Sequence, residues 1–187
     1  MSSGVLGDRR KALEESFFSK REATLRQQIQ EERKHQEGLQ ALAGECGIRD
    51  EAVLAALLHA GIEAETLAAL TLIPLVAVAW ANGTVEPAER EAVLEAADQS
   101  GVRKGEPPFE LLDAWLAFRP PETLMESWLA YATELRTILS DDERKVLRED
   151  IVSRALQIAE AAGGILGLGS RVSRAEKAVM KQIEAAI

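Results

Sequence analysis

From Leu67 to Ala81 the chain reads L-A-A-L-T-L-I-P-L-V-A-V-A-W-A, an apolar run without one charged residue. It falls short of the ~20 residues that a membrane-spanning helix needs, and Pro74 interrupts it. A run of this kind is stable in water only when other parts of the protein cover it. The remainder of the chain offers suitable cover. Ala, Leu, Glu and Arg dominate, apolar residues recur every three or four positions, and strand-like alternation is missing. The expected fold is all-α: a compact multi-helix domain with a long N-terminal helical extension.

Punctuation along the sequence sets the expected elements. A first helix is predicted from Asp8 to Gly44, with an apolar stripe through Leu13, Phe17, Leu25 and Ile29. Between Gln30 and Gly38 the stripe vanishes, and a helix polar all round needs charge pairs or a solvent-bridging role. Gly47 breaks the chain, which suggests an extension over 1–46 and a helical domain over 47–187. A short helix over Arg49–Ala60 is closed by Gly61. The apolar helix follows from Ala64 to Ala81, kinked or split at Pro74, whose missing N–H removes a ladder bond. Asn82-Gly83 marks a tight turn, and Pro87 opens the next helix. An aromatic-rich helix carrying Phe109, Trp115 and Phe118 stops at Pro120-Pro121, and another runs from Glu122 to Leu139. Ser140-Asp141-Asp142-Glu143 and Ser173-Arg174-Ala175-Glu176 are capping-box signatures for the last two helices. Glycines from Gly163 to Gly169 separate those helices. Gly83–Glu89 and Ser170–Glu176 share a Val four residues before a Glu at a helix start, a spacing that suggests two related loop–helix units or two similar caps.

The charge balance is 22 basic against 31 acidic residues, a formal net charge of -9, which repels a phosphate backbone and argues against nucleic acid as a partner. With one cysteine, Cys46, and two histidines, His35 and His59, the chain supplies no ordinary Cys/His zinc site. Neither Cys46 nor the histidines has a visible catalytic partner, and His59 sits among Val53, Leu54, Leu57 and Leu58, where a structural role is expected. The charged N-terminus lacks the apolar region of a signal peptide, so a cytoplasmic protein with no direct membrane span is expected.

One segment carries a family resemblance. Ala79-Trp80-Ala81-Asn82-Gly83-Thr84-Val85-Glu86-Pro87-Ala88-Glu89 resembles the signature of TerB-like domains, the tellurite-resistance helical family. That signature is an apolar helix ending in Ala-x-Ala-Asp-Gly, then a hydrophobic residue, then Glu at the next helix start. Similar domains precede J-domains in some membrane-anchored co-chaperones. Asn82 stands where the family usually has Asp. The resemblance implies an all-helical domain without established catalysis, a role in stress-response or membrane-linked complexes, and an acidic divalent-metal site. Asp8 to Phe17 is fainter in its similarity to the opening of the bacterial ATP-synthase inhibitor subunit called zeta.

Asn82, Glu86 and Glu89 are the candidate metal ligands, for Ca, Mg or Mn, because hard cations take oxygen donors. The competing reading gives Asn82 to the turn and Glu89 to the helix N-terminus through the dipole. The glycine run from Gly163 lacks the Lys-Ser/Thr ending of a phosphate loop. Trp80, Trp115, Trp128, Phe109, Phe118 and Tyr131 sit at helical spacing and read as core, with a peptide groove as the alternative. The expected function is a non-enzymatic interaction or stress-response module with a protein partner, docking through helices and tuned by a divalent cation. The alternatives are a structural protein that forms a homodimer through its N-terminal arm, and an enzyme with an unrecognised carboxylate site.

Overall fold

The computed structural model describes the backbone at 3–162 and 172–187, and side chains at 17, 20–161 and 172–187. The protein is all-α, and among the described residues there is no strand. Its elements are α1 (Ser3–Cys46), α2 (Glu51–His59), a 3₁₀ segment (Ala64–Leu72), α3 (Ile73–Ala79), α4 (Pro87–Gln99), α5 (Pro107–Ala117), α6 (Glu122–Ile138), α7 (Asp141–Ala162) and α8 (Arg174–Ala186). The glycine run Gly163–Gly169 lies outside the described residues. Among the described residues no single helix is long and apolar enough to cross a membrane.

Two compact units divide the chain, Met1–Gln40 and Ala41–Ile187. The division between these units falls inside α1. The last turns of that helix belong to the second unit because they carry Leu42, which is fully buried there along with Ile48 just beyond the break. In the first unit the polar stretch stays helical through pairs one turn apart: Glu22 with Arg26 at 2.7 Å, Gln27 with Glu31 at 2.8 Å and Arg33 with Glu37 at 2.8 Å. Each such pair adds only ~0.2–0.5 kcal/mol, so a run of them is needed. Phe17, Leu25 and Ile29 of the apolar stripe are exposed.

The second unit is built around α3. This short helix buries Ile73, Pro74, Leu75, Val76, Val78 and Ala79, apolar on every side. It touches the 3₁₀ segment, α4, α6, α7 and α8, which accounts for an apolar run with no polar face. Pro74 decides how the run is folded. A proline ring clashes with the carbonyl four residues back, so an α-ladder does not pass through it. The chain instead takes tighter 3₁₀ geometry up to Leu72 and restarts as α-helix with Pro74 in the first turn. Gly61 closes α2 with φ +84° while Ile62 donates to Leu57 O at 2.9 Å, a left-handed cap that a side chain would strain.

Trp115 and Trp128 lie in the core. Phe118 does not: it is 79% exposed. The helix makes its last bond, Phe118 N–H to Ala114 O at 2.9 Å, and Phe118 then turns to extended backbone at φ -131°, ψ 131° ahead of Pro120-Pro121. His59 is also exposed. Val53, Leu54 and Leu57 face the core, and a residue two positions past Leu57 falls on the opposite side of the helix.

Candidate functional site

Trp80 caps α3, and its indole Nε1 donates to Trp115 O at 2.8 Å, tying the end of α3 to α5. The chain then turns at Asn82-Gly83. Gly83 has φ +97°, in the region where glycine is favoured, and its N–H donates to Trp80 O at 2.9 Å. Asn82 is exposed, and its Oδ1 accepts the Thr84 N–H at 3.3 Å. Glu86 follows as the N-cap of α4, with Pro87 in the first turn and Glu89 as the third helical residue. Glu86 and Glu89 form a reciprocal capping box, in which Glu89 Oε2 accepts the Glu86 N–H at 2.7 Å.

The three expected ligands therefore have separate tasks. Asn82 shapes the turn, Glu86 caps the helix from the exposed side, and Glu89 is wholly buried. The second oxygen of Glu89, Oε1, is buried and has no hydrogen-bond partner. Among the described residues, no three His, Cys, Asp or Glu side chains form a group able to hold a metal ion.

Sequence reasoning did not connect Glu89 with Glu176. Glu176 occupies the same third position of α8, is 2% exposed, and accepts the Ser173 N–H on Oε2 at 2.5 Å while Ser173 Oγ accepts the Glu176 N–H at 3.2 Å. Burial pushes the Glu89 carboxyl above its ordinary value. The Glu86 N–H bond pulls it down, and the charges of Glu176 and Glu86 add to the rise. A second buried carboxylate thus acts on Glu89 from the start of a helix that, like α4, touches α3 and α7. The signal available in the sequence was the repeated Val-to-Glu spacing, which marks both starts as capped but does not say that the charge of one reaches the other.

A second feature is an open groove of about 410 Å³ in the second unit, between α3, α6, α8 and the link from α5 to α6. Val76, Trp80, Leu124, Met125 and Val179 line it, and Arg119, Glu122 and Glu126 add charge. Trp80 is only half-buried and contributes to this surface. The remaining candidates for chemistry stand apart. Cys46 is a partly exposed thiol, His35 is exposed, and Asp141 and Asp142 are exposed at the start of α7. Burial, and then the Cys46 thiol, raise the Tyr131 phenol above its ordinary value, which keeps it protonated at neutral pH.

No family model, curated protein or solved structure matches the chain.

Proposed function

We propose that the chain is a non-enzymatic helical interaction module of the TerB-like, stress-response kind that Ala79–Glu89 resembles. The observation that carries this reading is the groove between α3, α6 and α8. Apolar residues with a charged edge are what an amphipathic helix of a partner protein meets when it lies in a groove. Met125 suits such a role because its flexible thioether adapts to different shapes. Photo-crosslinking from Met125 and Val179 in cells tests it, with exposed Glu65 as the control position. Discrete adducts from the two groove positions alone support the module. Equal or no adducts from all three positions remove it.

Tuning by a divalent cation, Ca, Mg or Mn, is part of the same proposal and rests on the resemblance at Ala79–Glu89 together with the buried, unpartnered Oε1 of Glu89. A thermal scan of chelator-treated protein with each ion, repeated on Glu89→Gln, tests this. A selective rise that is lost in the variant supports a cation. No rise with any ion leaves Glu89 as a cap. The exposed Leu25 and Ile29 favour a second reading, in which α1 is a self-association arm. Light scattering on the chain lacking residues 1–38 tests that arm, and an unchanged mass removes it.

A further inference from the structure

The part of the groove that α6 supplies is one face of that helix. Glu122, Met125, Glu126 and Leu129 recur at steps of three and four residues, the spacing of a single stripe. Glu122 and Glu126 stand one turn apart in it. Both are exposed, and among the described residues neither has an ion-pair partner. The groove thus joins an apolar lining to an acidic edge. Its volume of about 410 Å³ is well above the ~150 Å³ that takes up benzene, which leaves room for two or three aliphatic side chains.

The chain carries a helix face of the complementary kind. Arg21, Leu25 and Ile29 follow one another at steps of four on α1 and so share a face. Leu25 is 49% exposed and Ile29 65%, so their own chain does not cover them. Arg21 is exposed and, among the described residues, has no ion-pair partner, unlike Arg26 and Arg33, which pair within α1. Glu32, one turn past Ile29, closes the face with an acid. The face therefore runs base, apolar, apolar, acid, and the groove offers Glu122 and Glu126, an apolar lining and Arg119. The wider charge balance has the same sense. Residues 1–40 hold eight basic and seven acidic side chains, whereas the rest of the chain holds fourteen basic and twenty-four acidic.

We infer that the groove of one copy takes the α1 face of a second copy, with Leu25 and Ile29 against the apolar lining and Arg21 against Glu122 and Glu126. This rests on the reading of the groove as a helix-binding site and names its occupant. A helix laid in a groove is held by anchors one turn apart, as Leu25 and Ile29 are. The apolar anchors supply most of the affinity, and the charged edge sets the direction in which the helix lies. Pairing of two α1 arms with each other is less well supported, because 30–38 holds no apolar residue to continue a seam between them.

The test is light scattering on the purified full chain over a concentration series, with photo-crosslinking from Met125 in an equal mixture of isotope-labelled and unlabelled chain. The mass is expected to rise above that of one chain, and crosslinked peptides are expected to join Met125 to 20–32 with one label from each copy. Leu25→Asp is expected to weaken association at least about tenfold, the loss of an apolar anchor. Arg21→Glu and Glu126→Arg are each expected to weaken it about fivefold, and the two together to recover most of that loss. All three positions are exposed, so the fold is not at risk. A mass that stays at one chain would overturn the inference, as would crosslinks that carry a single label. Leu25→Asp weakening association while Glu126→Arg leaves it unchanged would show arm pairing with arm and would overturn it too. Crosslinking in cells reads a foreign helix in the groove separately, so failure here is distinct from failure of the groove reading.

Discussion

The starts of α4 and α7 carry the same device in opposite surroundings. At α4 the Glu86 N–H donates to Glu89 Oε2 at 2.7 Å, and at α7 the Ser140 N–H donates to Glu143 Oε2 at 2.9 Å. Glu89 is wholly buried, and burial and its acidic neighbours raise its carboxyl. Glu143 stands in water, and the Ser140 hydroxyl, then the Ser140 N–H, hold its carboxyl below the ordinary value. A capping box fixes where a helix begins. It does not fix what protonation state its carboxylate prefers, which depends on whatever packs over it.

The cover over Glu89 comes from helices that gather on α3, so the largest way to break the comparison is to damage α3. Leu75→Ala deletes a fully buried side chain and is expected to cost about 2–5 kcal/mol. Val146→Ala, one turn into α7 near the exposed box, removes a side chain that is 67% exposed and is expected to stay within ~0.5 kcal/mol of the parent. Urea unfolding of both variants checks the contrast. Equal losses would mean that the two helix starts are not differently buried.

Glu89→Gln sharpens the comparison by removing the charge alone. The amide keeps an oxygen for the Glu86 N–H and removes the charge from the group whose Oε1 is buried without a partner. An unsatisfied buried polar group costs ~1–3 kcal/mol, so at neutral pH and without added metal the variant is expected to be more stable by about 1 kcal/mol, a rise of about 2–4 °C. Glu176→Gln removes the repulsion from the other side. The double variant is then expected to gain less than the sum of the singles, because either change alone ends the repulsion. Strict additivity in calorimetry would mean that the two carboxylates do not interact.

The dependence on pH carries the same argument with a definite sign. Glu89 has a raised value when folded, against an ordinary 4.5. The folded chain therefore holds its proton to higher pH than the unfolded chain. The stability this proton confers is complete below about pH 4.5 and is lost as pH rises through the folded value. The stability gap between Glu89→Gln and the parent is expected to open over that interval and then level off. A gap independent of pH across the range would show that Glu89 is not shifted.

Much of this architecture can be read from residue order, and the reason is local. Pro74, Pro87, Gly61 and the Ser140 and Ser173 boxes act through their own backbone and nearby N–H groups, so helix limits follow from a few adjacent residues. The all-apolar Leu75–Ala79 stretch likewise announces a buried helix. What depends on distant residues was hidden. The charge of Glu176 reaches Glu89 only because α4 and α8 both pack against α3 and α7, and no local spacing encodes that proximity. Phe118 looks like core by composition, yet the two prolines ahead of it end the helix before it can face inward.

The smallest effect belongs to the exposed box and decides whether the two helix starts differ in kind. Glu143 has a lowered value when folded because its charged form accepts from both the Ser140 hydroxyl and N–H. Its contribution is therefore present above about pH 4.5 and fades as pH falls through the lower folded value, a slope opposite to that of Glu89. Glu143→Gln is expected to lower the melting temperature slightly at neutral pH, by less than Glu89→Gln raises it, with the deficit shrinking in acid. Water competes for both partners at this site, so the loss is small. Melting curves of the two variants across the acid range, taken in one buffer series, separate the cases. If Glu143→Gln followed the slope of Glu89→Gln, burial would not be what distinguishes the two boxes, and the repulsion between Glu89 and Glu176 would need another source.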